Sequence, residues 1–371
     1  MKFICQKCQK EYAPVGEAYR CHCGGLFKVG LDCNQAPLDF AALSRTEHTL
    51  WRYMGSMPFQ DDVSAKLVSM GEGFTPLIPL NPNSGNLLAK CDYFMPTLSF
   101  KDRGAAVLIA YAKMAGVKNV VCDSSGNAGT SIAAYSARAG IVCDVFVPEA
   151  TSDKKIQQIR AHNANVHKIP GSREDTAAAA IDAVKKTKAF YASHIFNPLF
   201  YEGTKTYFFE VFEQLGQMPE CFIIPTGNGT LLLGAARAFA QMLDWGIITK
   251  MPRILSVQAE NCAPVYQSFA NDDASVAAVE NKGTLAEGIA IAAPARGEDM
   301  LAAIRATKGD VITVSDDEVL AAREEMALFG VYVEITAAAN YAGYKKYIQK
   351  YPELSKQKIV MPLCGAGIKS S

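Results

Sequence analysis

Between Asp102 and Ala192, short apolar runs alternate with Ala-rich or amphipathic ones, and few folds accept that order. Helices are expected at Arg103–Ala115, Thr130–Ala139, Ser152–His162 and Ser172–Lys186, with strands at Asn119–Cys122, Cys143–Val147 and Asn165–Ile169. Strands that read as continuous apolar runs are buried on both faces, so the block implies a parallel sheet covered by helices on each side. Gly116, Gly140 and Gly171 fall at the joints between these runs. Leu87–Cys91 reads as a further strand. From about Gly203 onward the plan repeats, with strands expected at Cys221–Ile224, Ile254–Gln258, Val311–Val314, Tyr332–Glu334 and Ile359–Met361. The fold class is therefore α/β, with two parallel-sheet αβ domains.

Parallel sheets bind ligands at the carboxyl ends of their strands, and three segments lie at such ends. Pro96–Gly104 reads Pro-Thr-Leu-Ser-Phe-Lys-Asp-Arg-Gly and sets Lys101 between an aromatic residue and the apolar start of a helix. Walls of that kind destabilise an ammonium and leave an amine able to form a Schiff base with a carbonyl. A solvated lysine at a helix start has the same local sequence. Cys122–Gly129 reads Cys-Asp-Ser-Ser-Gly-Asn-Ala-Gly between strand and helix, a turn that offers backbone N–H groups to an anion with Asn127 beside them. Pro225–Leu231 follows the same plan as Pro-Thr-Gly-Asn-Gly-Thr-Leu, where Gly227 and Gly229 let the backbone wrap a phosphate at a helix N-terminus. Either loop alone is an ordinary strand-to-helix turn.

In this order and spacing the three segments resemble the tryptophan-synthase-like group of pyridoxal-phosphate enzymes (fold type II) and, within it, the threonine synthases. Gly71–Leu77, Asn197-Pro198 followed by Glu202–Thr206, and Cys364–Gly367 extend the resemblance over nearly the whole chain. It implies a lyase that takes O-phospho-L-homoserine and water to L-threonine and phosphate. It also implies pyridoxal 5'-phosphate as cofactor, a small amino acid as substrate, and a homodimer, since related enzymes are often dimers. Lys101 would hold the cofactor aldehyde and shuttle protons, and Asn127 would hydrogen-bond the ring hydroxyl. Gly227, Asn228, Gly229, Thr230 and Leu231 would cradle the cofactor phosphate, and Cys364 would face the ring nitrogen. A small buried hydrophobe also explains Cys364. Ser124, Ser125, Asn197 and Lys205 are the candidates for contacts to the substrate phosphate.

The chain departs from that pattern at Leu98, Ala128 and Phe200, where many members carry Gly, Thr and Arg. Leu285–Ala290 is similar instead to a segment of serine and threonine dehydratases, which remove water from an unphosphorylated hydroxyamino acid. A dehydratase-like lyase or β-replacement enzyme therefore stays open, and so does a module that keeps the scaffold without the reaction.

Ahead of these segments stand Cys5-Gln6-Lys7-Cys8 and Cys21-His22-Cys23-Gly24-Gly25. Two short-spaced pairs suit a tetrahedral thiolate zinc site, with Cys5, Cys8, Cys21 and Cys23 as ligands. One residue separates the second pair, so His22 or Cys33 could replace a ligand, and a ribbon without metal is the alternative. Similar ribbons precede the catalytic body in some threonine synthases, which implies a structural role. Eleven cysteines, several inside expected strands, read as reduced thiols and ligands rather than a disulfide framework. With 37 basic against 37 acidic side chains, nothing calls for nucleic acid or an anionic membrane as partner. No apolar run resembles a signal peptide or a membrane span, so a cytoplasmic location is expected. The expected division is a zinc-ribbon-like segment at 1–33, a larger cofactor-binding domain at 34–101 and 200–371, and a smaller mobile domain at 102–199.

Overall fold

The computed structural model describes residues 1–14, 18–30, 36–43, 47–58 and 63–369. The chain begins with β1 (Lys2–Cys5), β2 (Glu11–Tyr12) and β3 (Phe27–Gly30), followed by β4 (Leu77–Asn81), β5 (Ser84–Lys90) and α1 (Lys101–Met114). Next come β6 (Asn119–Cys122), α2 (Asn127–Ala139), β7 (Val142–Pro148), α3 (Asp153–Arg160), β8 (Asn165–Ile169), α4 (Arg173–Thr187) and β9 (Phe190–Tyr191). They lead to α5 (Leu199–Thr204), α6 (Thr206–Leu215), β10 (Cys221–Pro225), α7 (Thr230–Asp244), β11 (Arg253–Ala259) and α8 (Pro264–Ala270). The last elements are α9 (Gly297–Ala306), β12 (Asp310–Val314), α10 (Asp316–Leu328), α11 (Ile335–Lys350) and β13 (Ile359–Pro362).

Two compact units emerge, Met1–Gly73 with Lys101–Thr204, and Phe74–Phe100 with Lys205–Ser371. The first contains the antiparallel ribbon β2-β1-β3 and an all-parallel sheet ordered β8-β7-β6-β9. Its helix α1 is buried from Asp102 through Ala110, as a helix that is apolar on every side must be. Gly104 and Gly203 let α1 and α5 cross closely: a Cβ on Gly203 would overlap the Arg103 carbonyl, and one on Gly104 would overlap the Phe200 ring. Ahead of β3, Tyr19 stands edge-on to Tyr191 at 5.8 Å and to Phe196 at 5.2 Å, and Arg20 lies over the Phe196 ring at 4.9 Å.

The second unit holds a sheet ordered β12-β11-β10-β13-β5-β4, parallel throughout except where β4 turns back antiparallel on β5. Ser315 opens α10 with a capping box completed by Glu318, and Ser172 does the same for α4 of the first unit with Asp175.

Most expected elements appear with ends moved by one to three residues. The strand expected at Tyr332–Glu334 does not form. After the left-handed turn at Gly330 (φ 82°) this segment makes one bridge, Val333 to Ala366, and Glu334 N–H donates to the Gly365 carbonyl at 3.0 Å. Its apolar alternation is spent on the chain end rather than on the sheet. Leu50–Ser56 and Val63–Val68 form 3-10 turns, with Trp51 and Tyr53 buried. Phe59 and Cys33 lie outside the described residues. Residues up to Gly73 group with the first unit.

Candidate active site

In the first unit the candidate residues gather at the carboxyl ends of β6 and β9. Lys101 is the first residue of α1 and is half-buried. Asp102 beside it accepts a hydrogen bond from Ser131 at 2.5 Å, tying the first turn of α1 to α2. Ser124 and Ser125 form the turn after β6, Ser124 Oγ accepting from Gly126 N–H at 3.4 Å, and Asn127 begins α2. Asn197 ends a braced turn: its N–H donates to the Ser193 carbonyl at 3.0 Å, and its side-chain oxygen accepts from Leu199 N–H at 3.1 Å. That oxygen thus serves as the cap of α5.

Three groups in this region were not singled out by the sequence. His194 Nδ1 is buried without a hydrogen-bond partner, and the buried Asp123 carboxyl and Tyr191 hydroxyl face each other. Burial pushes the Asp123 carboxyl up from its ordinary range, opposed by the Arg173 guanidinium. Burial holds His194 well below the usual imidazole range, and the charges of Lys101 and Arg173 push the same way. A histidine inside Ala-Ser-His-Ile-Phe was the only legible signal, and a core histidine explains it equally well.

In the second unit the Gly-rich turn closes the end of β10. Thr226 anchors it: its N–H donates to the Val257 carbonyl at 2.8 Å, its hydroxyl accepts from Ser256 at 2.7 Å, and its carbonyl accepts from Gln258 at 3.0 Å. A Cβ on Gly227 would come within 2.7 Å of the Gly288 carbonyl, and one on Gly229 (φ 74°) would overlap Met300. Asn228 lies between them, and Gly229 caps α7 without a side chain. The first hydrogen bond of α7 runs from Leu233 N–H to the Gly229 carbonyl at 2.8 Å, so the helix itself does not use the amides of Thr230 and Leu231. The loop is a cup of backbone donors at a helix N-terminus, suited to a phosphate.

Cys364 follows β13 and is buried at 1% exposure. Its carbonyl accepts from Phe100 N–H at 2.9 Å, and Ser99 bridges Gly365. Ser99 Oγ is buried there without a partner. A small buried thiol, an orphaned hydroxyl and a backbone cup form a donor set that fits a phosphorylated heterocycle. Lys205, the residue before α6, is 1% exposed, with its ammonium 5.9 Å from the centre of the Phe209 ring.

The four ribbon thiols converge. All four sulfurs lie within 4.8 Å of one another, Cys5 to Cys23 at 3.5 Å and Cys8 to Cys21 at 3.4 Å. Tyr12 Oη is 3.0 Å from Cys21, and this hydrogen bond brings the Cys21 thiol down to about 6. Among the described residues no helix is long and apolar enough to cross a membrane.

Residues 68–365 match the family model described as pyridoxal-phosphate dependent enzyme. The chain is 33% identical to a threonine synthase of Methanocaldococcus jannaschii, over 98% of its own length and 92% of that protein. It is 31% identical to the threonine synthase of Methanosarcina acetivorans, over 93% and 86% of the two chains. In fold it is similar to maize serine racemase, with TM-score 0.69 at 22% identity over 79% of this chain and 88% of that one. A processed threonine deaminase from Solanum lycopersicum gives TM-score 0.68 at 21% identity over 91% and 93%. With the lysine at the head of α1 and the glycine cup at the head of α7, these similarities establish that the chain belongs to the pyridoxal-phosphate dependent enzymes and groups there with the threonine synthases.

Proposed function

We propose that this chain converts O-phospho-L-homoserine and water to L-threonine and phosphate. The observation that carries the reading is identity above 30% to threonine synthases over nearly the full length, including the segment that sets Lys101 at the start of a buried helix. Pyridoxal phosphate, when bound, supplies a ring that stabilises negative charge on the carbon beside the substrate amine. The cup at Gly227, Asn228, Gly229, Thr230 and Leu231 would hold its phosphate through main-chain donors, while Cys364 and Asn127 would contact its ring. Lys101 would hold the cofactor and would serve as general base and acid. Ser124, Ser125, Asn197 and Lys205 are the substrate contacts of this reading.

A second reading rests on Phe200. It is fully buried against α1 at a position where many threonine synthases carry arginine, and this favours a lyase acting on an unphosphorylated hydroxyamino acid. The two readings separate in one assay. Phosphate release from O-phosphohomoserine with threonine formed, abolished in Lys101→Ala together with the cofactor absorbance, supports the synthase. Oxoacid from serine or threonine, with no phosphate released, supports the alternative.

The cysteine cluster is proposed to hold a structural zinc. A zinc tetrahedron with Zn–S bonds of about 2.3 Å has sulfur-sulfur edges of roughly 3.8 Å, and the 3.4 and 3.5 Å pairs widen only a little to meet it. Metal analysis of purified protein should give about one zinc per chain, lost in Cys8→Ser with Cys21→Ser. A metal-free protein with an intact ribbon would sink this assignment.

A further inference from the structure

The helices that carry Lys101 and Asn127 pack along each other, and both are built largely from small residues. Among the residues they bury are Ala105, Ala106 and Ala110 on α1, and Ala128, Ala133 and Ala134 on α2. Small side chains let helices approach closely but leave shallow ridges and grooves, so packing alone resists sliding of one helix past the other only weakly. A hydrogen bond pins them instead. Asp102, the residue after Lys101, is fully buried, and so is Ser131 on α2, whose hydroxyl donates to Asp102 Oδ1 at 2.5 Å. That length is the one expected of a hydroxyl on an ionised carboxylate. A carboxylate in the first turn of a helix is favourable where water reaches it, but burying one is costly. An apolar residue of similar volume would pack at this point as well or better. The fold alone does not call for a charge here.

Ser131 lies one helical turn after Asn127, and Tyr135 one turn further, so the three share a face of α2. Both later positions of that face are held. Ser131 is held by Asp102, and Tyr135 by Glu72, which accepts from Tyr135 Oη at 3.0 Å, from Trp51 Nε1 at 2.5 Å and from Met70 N–H at 2.7 Å. The first turn of α2 is also closed from outside: a Cβ on Gly129 would overlap the Ser124 carbonyl, so the turn after β6 lies directly on the helix head.

We propose that Asp102 and Ser131 are positioning residues: their hydrogen bond fixes the spacing between Lys101 at the head of α1 and Asn127 at the head of α2, so that both engage one cofactor ring together. This rests on the roles given above to Lys101 and Asn127. If either helix drifts, one of the two contacts becomes long, and a misplacement of about 1 Å can cost about a hundredfold in rate.

The test titrates pyridoxal phosphate into the cofactor-free protein and reads its dissociation constant and the visible circular dichroism of the bound form. Urea stability, and kcat and KM for O-phosphohomoserine, are measured in parallel. Ser131→Ala and Asp102→Ala should each weaken cofactor binding about tenfold and diminish the dichroic band. Each should lower kcat about tenfold or more with KM held within about a factor of two. The double variant should bind the cofactor no more weakly than the worse single one, since both changes remove the same bond. Asp102→Asn keeps an oxygen that accepts from Ser131 and should recover most of the loss. Tyr135→Phe deletes a hydrogen bond two turns from Asn127. It should lower urea stability and leave cofactor affinity within about twofold.

A folded Ser131→Ala that binds the cofactor as wild type does overturns the inference. So do losses that add in the double variant, or a Tyr135→Phe that weakens binding equally, which would mark a general loosening of the unit. If Ser131→Ala does not fold, Asp102→Ala against Asp102→Asn decides, and equal losses in those two overturn it. The affinity readout does not depend on which amino acid the enzyme consumes. Cofactor absorbance that survives in Lys101→Ala defeats the lysine assignment and this inference with it. Absorbance lost in Lys101→Ala, beside wild-type affinity in Ser131→Ala, defeats the inference alone.

Discussion

The ring of Phe200 lies so close to Gly104 that any Cβ at that position would overlap it. Alanine is ordinarily the better helix residue by about 1 kcal/mol, but overpacking a filled core costs about 1–3 kcal/mol. Gly104→Ala should therefore lose stability on balance in urea denaturation, and its cofactor absorbance should fall as the first turn of α1 shifts. A variant as stable as wild type with unchanged absorbance would show that the ring yields freely.

Leu98 has a left-handed backbone, φ 61°, two residues before Phe100. A side chain in that conformation costs about 1–2 kcal/mol, and the gain in unfolded-chain freedom from glycine returns about 0.4–1 kcal/mol of it. Leu98→Gly should stabilise the protein by about 0.5 kcal/mol and leave turnover within a factor of about two. A large loss of stability would mean that the half-buried leucine side chain matters more than its backbone strain.

In the second unit Lys90 and Glu210 form an ion pair at 2.8 Å with both side chains fully buried, and the ammonium also donates to the Thr75 carbonyl at 2.6 Å and to Gln214 at 2.9 Å. Removing one partner of such a pair strands the other charge. Glu210→Ala should cost about 3–5 kcal/mol, whereas Lys90→Met with Glu210→Leu should recover most of it. Equal losses in the single and double variants would show that the pair is worth its full attraction and not merely balanced against desolvation.

His194 gives stability a specific pH dependence. In the folded chain it is held neutral well below the usual imidazole range, facing Lys101 and Arg173, while in the unfolded chain it takes a proton near pH 6.5. As pH falls below about 6.5 the unfolded state binds the extra proton, so stability drops by up to about 1.4 kcal/mol per pH unit. Urea unfolding of wild type and His194→Asn at pH 7, 6 and 5 should give a steeper acid loss in wild type. Parallel curves would show that the imidazole takes its proton in the folded protein too.

Much of the fold was legible because it depends on periodicity. Continuous apolar runs such as Asn119–Cys122 and Cys221–Pro225 have few alternatives to a doubly covered parallel strand. The two-residue β9 was not legible, because Phe190 and Tyr191 carry no period of their own and pair only where β6 is already in place. Tyr332–Glu334 misled for a related reason, since alternation names a strand-like backbone but not its partner. At the site, glycines such as Gly227 and Gly229 announce themselves by the turn they permit. Asp123, Tyr191 and His194 do not, since their interest lies in a burial that only the folded unit creates.

The aromatic contact of the ribbon bears on how this enzyme can be shortened. Tyr19 and Arg20 sit directly before Cys21 and roof Tyr191 and Phe196. A trimmed chain starting at Ala36, attractive as a minimal catalyst, would leave those rings facing water beside the turn that presents His194 and Asn197. Such a bare ledge invites self-association, and the amino-terminal cysteines are better regarded as the eaves of the catalytic body than as an accessory to it.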